Sequence, residues 1–104
     1  MKRYKMKVIF NELAKHEFED AIEFYELEHP GLGVSFKREI KKSIKRIIKY
    51  PKAWSVERGE VRKYLAHRFP YKVLYSIEED HIYIIAVAHQ HRKPNYWIDR
   101  IDKT

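Results

Sequence analysis

Five residues of this chain have the types needed to handle a phosphodiester: His67, Arg68, His89, Arg92 and Tyr96. Cleaving RNA at a 2′-hydroxyl needs a proton acceptor, a donor for the leaving oxygen, and cations to hold the charge that develops on phosphorus. Histidine can serve as acid or base near neutral pH, and arginine supplies a planar clamp. Arg62 could join that clamp. For Arg62 and Arg68 a strand-edge charge that discourages aggregation is an equally good reading. For Tyr96, packing of a terminal helix is the better one. His89 and His91, two apart on one strand face, could begin a metal site, but such a site needs a third ligand and a less cationic setting. No metal and no cofactor is therefore expected. With three glycines the chain has no phosphate-cradling loop, and it carries neither a Ser-His-Asp arrangement nor a zinc-finger or RNP motif.

These residues cluster in Val61–Lys93, which reads as three consecutive strands. Tyr71, Val73, Tyr75 and Ile77 alternate with Lys72, Leu74 and Ser76, Glu78-Glu79-Asp80 forms a polar tip, and His81 to His89 is rich in Ile, Tyr and Val. Val61 to Phe69 supplies another strand, with Pro70 at the corner. An N-terminal strand is expected where Tyr4, Met6, Val8 and Phe10 alternate with cations. Asn11 can cap the helix that follows, Glu12 to Glu28, with Ala14, Phe18, Ala21, Ile22 and Tyr25 on one face. His29-Pro30-Gly31 ends it, and Gly33 leaves room for a tight reversal. A second helix runs from about Val34 to Lys49 on Phe36, Ile40, Ile44, Ile47 and Ile48. Pro51 to Glu60 reads as a loop whose Trp54 covers a core edge. Pro94 suits the first turn of a short terminal helix, with Trp97 and Ile101 docking on the core. The expectation is one α+β domain over 1–104, β-α-α-β-β-β-α, with an antiparallel helical hairpin on a mostly antiparallel four-stranded sheet.

Charge is segregated. The first helix holds seven carboxylates (Glu12, Glu17, Glu19, Asp20, Glu23, Glu26, Glu28) against Lys15. The second holds seven cations (Lys37, Arg38, Lys41, Lys42, Lys45, Arg46, Lys49) against Glu39. Side by side these sums cancel, so the basic run reads as a solvated, partly paired face that helps set helix pairing. The net charge of +7 then resides on the first strand and on residues 51–104, and an anionic ligand is expected at the sheet. Without cysteine there is no disulfide framework, and no apolar run approaches about 18 residues. A soluble cytoplasmic protein that does not enter a membrane is expected.

The phrases Phe69-Pro70-Tyr71-Lys72-Val73-Leu74-Tyr75 and Ile84-Ile85-Ala86-Val87-Ala88-His89-Gln90-His91-Arg92-Lys93-Pro94-Asn95-Tyr96-Trp97 resemble the RelE/ParE superfamily of bacterial toxins. So do Ala21-Ile22-Glu23-Phe24-Tyr25, His29-Pro30-Gly31-Leu32-Gly33 and Arg62. The resemblance implies the toxin half of a type II toxin–antitoxin pair, a small cognate antitoxin as partner, and contact with operator DNA only through that antitoxin. ParE-like members bind DNA gyrase, and the pattern looks more ParE-like, with Arg92, Tyr96 and Trp97 as target contacts. RelE-like members cut mRNA on the ribosome, and for that alternative Arg62, Arg68, His89, Arg92 and Tyr96 would be the catalytic set. Whether the chain is an enzyme depends on the branch. A third alternative is a basic partner-binding domain without toxicity.

Overall fold

In the computed structural model residues 6–101 are described, so the cations at positions 2, 3 and 5 lie outside the described residues. Strand β1 (Lys7–Phe10) leads into α1 (Glu12–Glu28) and α2 (Leu32–Lys49). Then come β2 (Val56–Arg58), β3 (Val61–Leu65), β4 (Tyr71–Ile77), β5 (His81–His89) and a 3₁₀ turn, Ile98–Arg100. The sheet order is β1-β5-β4-β3-β2, with β1 parallel to β5 and every other pair antiparallel. The α+β architecture matches the expectation from sequence.

Two local expectations need correcting. The sheet has five strands, because Val56–Arg58 forms an edge strand inside the stretch expected to be loop. Gly59, at φ +57°, makes the tight turn into β3, and three residues are too few to show an alternating pattern. The terminal helix is only a 3₁₀ turn, preceded by Asn95 at φ +64°. A left-handed residue there stops an α-helix that Pro94 could have begun.

The α1 boundaries are those expected, since Asn11 caps the helix: its Oδ1 accepts from Leu13 N at 2.8 Å while its Nδ2 donates to Tyr83 Oη at 2.9 Å. Gly31, at φ +90°, makes the turn between the helices. Gly33 does something else. A Cβ there would lie 2.6 Å from Ile22 O and 2.9 Å from Glu26 Cβ, so the glycine permits close contact of the two helices. Glu26 closes the junction by accepting from Gly31 N and Gly33 N at 2.9 and 3.0 Å.

One core lies between the helices and the sheet. Phe36, Ile40 and Ile47 of α2 are fully buried against Val73, Tyr75, Ile82 and Ile84. Each such side chain contributes roughly 1.5–3 kcal/mol of apolar burial. Phe36 gathers the rings of Tyr25, Phe69 and Tyr71 at 5.1, 5.2 and 4.9 Å. Trp54 covers the core edge against Tyr64, as its position in the sequence suggests. A second, smaller cluster covers the opposite face, where Trp97 packs on Val61, Leu74, Ile85 and Ala86.

The segregated helix charges do not pair across the hairpin. Among the described residues no carboxylate of α1 lies within 4.0 Å of a cation of α2. The helices meet along their apolar stripes and the close contact at Gly33, leaving most of their charged side chains, though not Glu17 or Glu39, turned to solvent. The basic face expected to be partly paired is therefore solvated and unpaired with α1, except that Arg46 is half-buried and donates to Tyr64 Oη at 3.0 Å.

Candidate functional site

β1 covers β5 only as far as Ile84, so the edge of β5 from Ile85 to His89 has no neighbouring strand. Two side chains replace one. Glu17 of α1 accepts from Val87 N at 3.0 Å, and Arg100 donates to Ile85 O at 2.9 Å. Ile85 is an extra residue in β5, for Leu74 pairs with Ala86 while Tyr75 pairs with Ile84. That bulge places its carbonyl where the guanidinium can reach it. Glu17 and Arg100 also form a two-pronged ion pair, at 3.0 and 2.8 Å. Both are largely buried, with side chains 16% and 10% exposed.

Tyr96 completes the arrangement by donating its hydroxyl to Glu17 Oε2 at 2.8 Å. The guanidinium groups of Arg92 and Arg100 lie over its ring, at 4.0 and 5.0 Å from the centroid. Burial, then the hydrogen bond to Glu17 and that residue's charge, push the phenol well above its ordinary pKa. Tyr96 is therefore a neutral hydrogen-bond donor at any physiological pH and not a base. Burial opposes the charge on Arg100, but its hydrogen bonds and charge pairing with Glu17 outweigh this and raise its pKa. Arg92 is held more loosely, with Nη1 3.9 Å from Glu17 Oε2 and half of its side chain exposed.

Beside this lock is a cleft of about 290 Å³, walled by Asp20, Phe24, Tyr71, His89 and Arg92. His89 packs edge-on against Tyr71 at 5.5 Å and lies 5.3 Å from His91, whose backbone N–H donates to His89 Nδ1. Among the described residues no third His or carboxylate joins these two in a metal-holding group. Chemically this end of β5 offers a half-buried imidazole, an exposed imidazole and a partly free guanidinium.

The remaining candidates are elsewhere. Arg68 sits in the β3–β4 turn at φ +73°, its guanidinium 5.8 Å from the Phe69 ring. His67 is exposed in the same turn, where its backbone N–H donates to Glu39 Oε2 at 2.9 Å. That turn adjoins the end of β5 through Gln90 N and Pro70 O, so His67, Arg68, His89 and His91 share one end of the sheet. Arg62 lies toward the other end of β3, paired with Tyr75, and donates to Trp54 O at 2.7 Å and Lys52 O at 3.3 Å. It is committed to holding the loop after α2. Trp97 is only 1% exposed and belongs to the second cluster. Of the three expected target contacts, Arg92 alone presents a substantial free surface.

Glu17 and Arg100, the pair that builds the site, were not singled out by sequence. A signal exists for Glu17, which falls between Ala14 and Ala21 at the spacing of α1's buried face. Arg100 follows Tyr96 by four residues, but spacing alone does not reveal a partner on α1.

A two-helix hairpin packed on a mostly antiparallel sheet is the fold that the resemblance implies. Residues 8–94 match the family described as ParE toxin of type II toxin-antitoxin system, parDE, and the chain belongs to that family. Membership implies a cognate antitoxin. Among solved structures the chain resembles the chromosomal ParDE toxin–antitoxin system from P. aeruginosa, with a TM-score of 0.72 and 14% identity over 84% of this chain and 98% of that one. It also resembles a mutant of E. coli toxin RelE in the free state, with a TM-score of 0.70 and 19% identity over 94% of this chain and 99% of that one. A crystal structure of the isolated E. coli RelE toxin gives 0.63, at 18% identity over 93% and 99%. At such identities these likenesses establish the fold alone. No curated protein matches the sequence. No helix among the described residues is long and apolar enough to cross a membrane.

Proposed function

We propose that this ParE-family toxin acts by binding DNA gyrase, without performing chemistry of its own, and that a cognate antitoxin holds it in check. The observation that carries the reading is the engagement of Tyr96 and Arg62, two of the five groups expected of a nuclease. Tyr96 is fixed to Glu17, Arg100 is locked in the same ion pair, and Arg62 is bound to loop carbonyls. Arg92, over the Tyr96 ring and facing the cleft, is the contact residue, while Trp97 anchors the segment in the second cluster. The test is supercoiling by purified gyrase with increasing toxin, beside expression in cells lacking the antitoxin. Inhibition and accumulated gyrase–DNA cleavage complexes are expected. Normal supercoiling at saturating toxin defeats the proposal.

One observation favours the RelE-like ribonuclease as the second reading: His67, Arg68, His89 and His91 share an end of the sheet and are not tied into the Glu17 lock. Under that reading translated mRNA is cut in cells expressing the wild type and left intact by His89→Ala/Arg92→Ala. Protein that accumulates in both assays without slowing growth points to the third reading, a partner-binding domain without toxicity.

A further inference from the structure

The solvent face of α2 carries Lys37, Arg38, Lys41, Lys42 and Lys45, all exposed and lining one shallow groove with Val34. Lys37 also borders a groove shared with Glu12 and Glu19, but among the described residues none of these five cations has a carboxylate within 4.0 Å. Lys37, Lys41 and Lys45 recur every fourth residue, and Arg38 and Lys42 do the same one position on. This makes two adjacent rows with about 6 Å between successive charges. Like charges four apart on a helix repel, so the free protein bears an unrelieved strain along this face.

We propose that the outward face of α2 binds the sugar–phosphate backbone of duplex DNA. A closely spaced line of phosphates is the partner that neutralises two such rows together, releasing counterions as it does so. Other polyanionic surfaces fit less well. A membrane-surface helix must insert its apolar face, but Phe36, Ile40 and Ile47 are fully buried against the sheet. Unpaired strands are held by stacking on aromatic side chains, and the only aromatic residue between Val34 and Lys45 is the buried Phe36. An acidic peptide would find no apolar foothold in the groove beyond Val34. The major groove of B-DNA admits an α-helix, whereas that of duplex RNA is too deep and narrow. The contact is to backbone and so is not sequence-specific. It goes beyond the target assignment, holding for a toxin of gyrase or of mRNA alike, and it departs from the expectation that this protein meets DNA only through an antitoxin.

The test is fluorescence anisotropy of a labelled duplex of arbitrary sequence, titrated with the full-length protein at several salt concentrations. If five phosphates are neutralised, the logarithm of the binding constant should fall with a slope of about −4.5 against the logarithm of salt. Lys41→Glu/Lys42→Glu should weaken binding by roughly tenfold or more and flatten the slope by about 2. The two new carboxylates each lie four residues from cations on both sides, so this variant should melt no lower than the wild type. That separates lost binding from lost folding. Lys7→Glu/Arg58→Glu, which makes the same change in net charge elsewhere, should retain most of the affinity. The proposal is overturned if the α2 variant binds like the wild type, or if the control variant loses as much. It is also overturned if single-stranded DNA, duplex RNA or polyglutamate binds as tightly as the duplex. None of these outcomes depends on the gyrase or mRNA assays.

Discussion

The C-terminal edge of β5 and the outer face of α2 are both crowded with charge, and the structure treats them in opposite ways. At β5 one carboxylate, Glu17, satisfies a backbone amide, a phenol and a guanidinium and has a second guanidinium nearby. On α2 five cations share a groove with no counter-charge within 4.0 Å among the described residues. The sequence around Tyr96 looked reactive, and Tyr96 itself proves to be engaged. The α2 run looked neutralised by its neighbour and proves to be free. A density of chemical groups therefore says little until it is known which of them already have partners.

The largest effect available to test this contrast is Glu17→Ala. Removing the carboxylate leaves the guanidinium of Arg100, the Tyr96 hydroxyl and the Val87 amide without their partner, with Arg100 only 10% exposed. Breaking a largely buried pair by deleting one member costs about 3–5 kcal/mol. Urea denaturation should show that loss, and in a double-mutant cycle Arg100→Ala should add much less to it than it costs alone. Additive losses would mean the pair is not the unit described here.

A second test uses alkaline pH. Burial pushes the Tyr75 phenol up to about 12, although the charge of Arg62 works the other way, and its hydroxyl donates to Pro51 O. Because the folded pKa lies above the unfolded one, the unfolded chain loses this proton first as pH rises. The contribution to stability is complete below about pH 10 and disappears as pH climbs through about 12. Two units correspond to about 2–3 kcal/mol. Tyr25, Tyr71 and Tyr96 are raised as well and add in the same direction. Absorbance at the tyrosinate band, followed with thermal melting, should show these phenols titrating late and together with unfolding. Flat stability from pH 9 to 12 would break the account.

Gly33→Ala sharpens the question of what pairs the helices. The added Cβ would lie 2.6 Å from Ile22 O, a backbone atom that cannot rotate away. Separating the helices to admit it should cost about 1–3 kcal/mol. Raising salt should change stability little by comparison, since no ion pair among the described residues spans the hairpin. If high salt destabilises the protein as much as the substitution does, charge and not fit sets the pairing.

Much of the fold was legible because local signals carry it. Asn11 as a cap, the stripes of α1 and α2, Gly31 and the β4–β5 alternation each act within a few residues. β2 was missed because three residues cannot display a period, and the terminal helix was overdrawn because nothing in Pro94-Asn95 announces a left-handed asparagine. The site was less legible for a different reason. Glu17 and Arg100 meet only because β1 stops at Phe10 and leaves part of β5 uncovered, which is a fact of sheet register. The apolar stripe of α2 put its cations on a solvated face but did not show that none of them pairs with α1.

Arg92 gives the smallest expected change in stability and the sharpest division between the two kinds of residue. It approaches the same carboxylate as Arg100, yet at 3.9 Å, with 52% of its side chain exposed against 10%. An ion pair of that exposure contributes about 0–1 kcal/mol. Arg92→Ala should therefore melt within a few degrees of the wild type while losing the toxin's effect on its target. Arg100→Ala, eight residues along the same segment, should lose both together. Equal losses of stability from the two substitutions would place Arg92 inside the lock and leave the cleft beside His89 without a free cation.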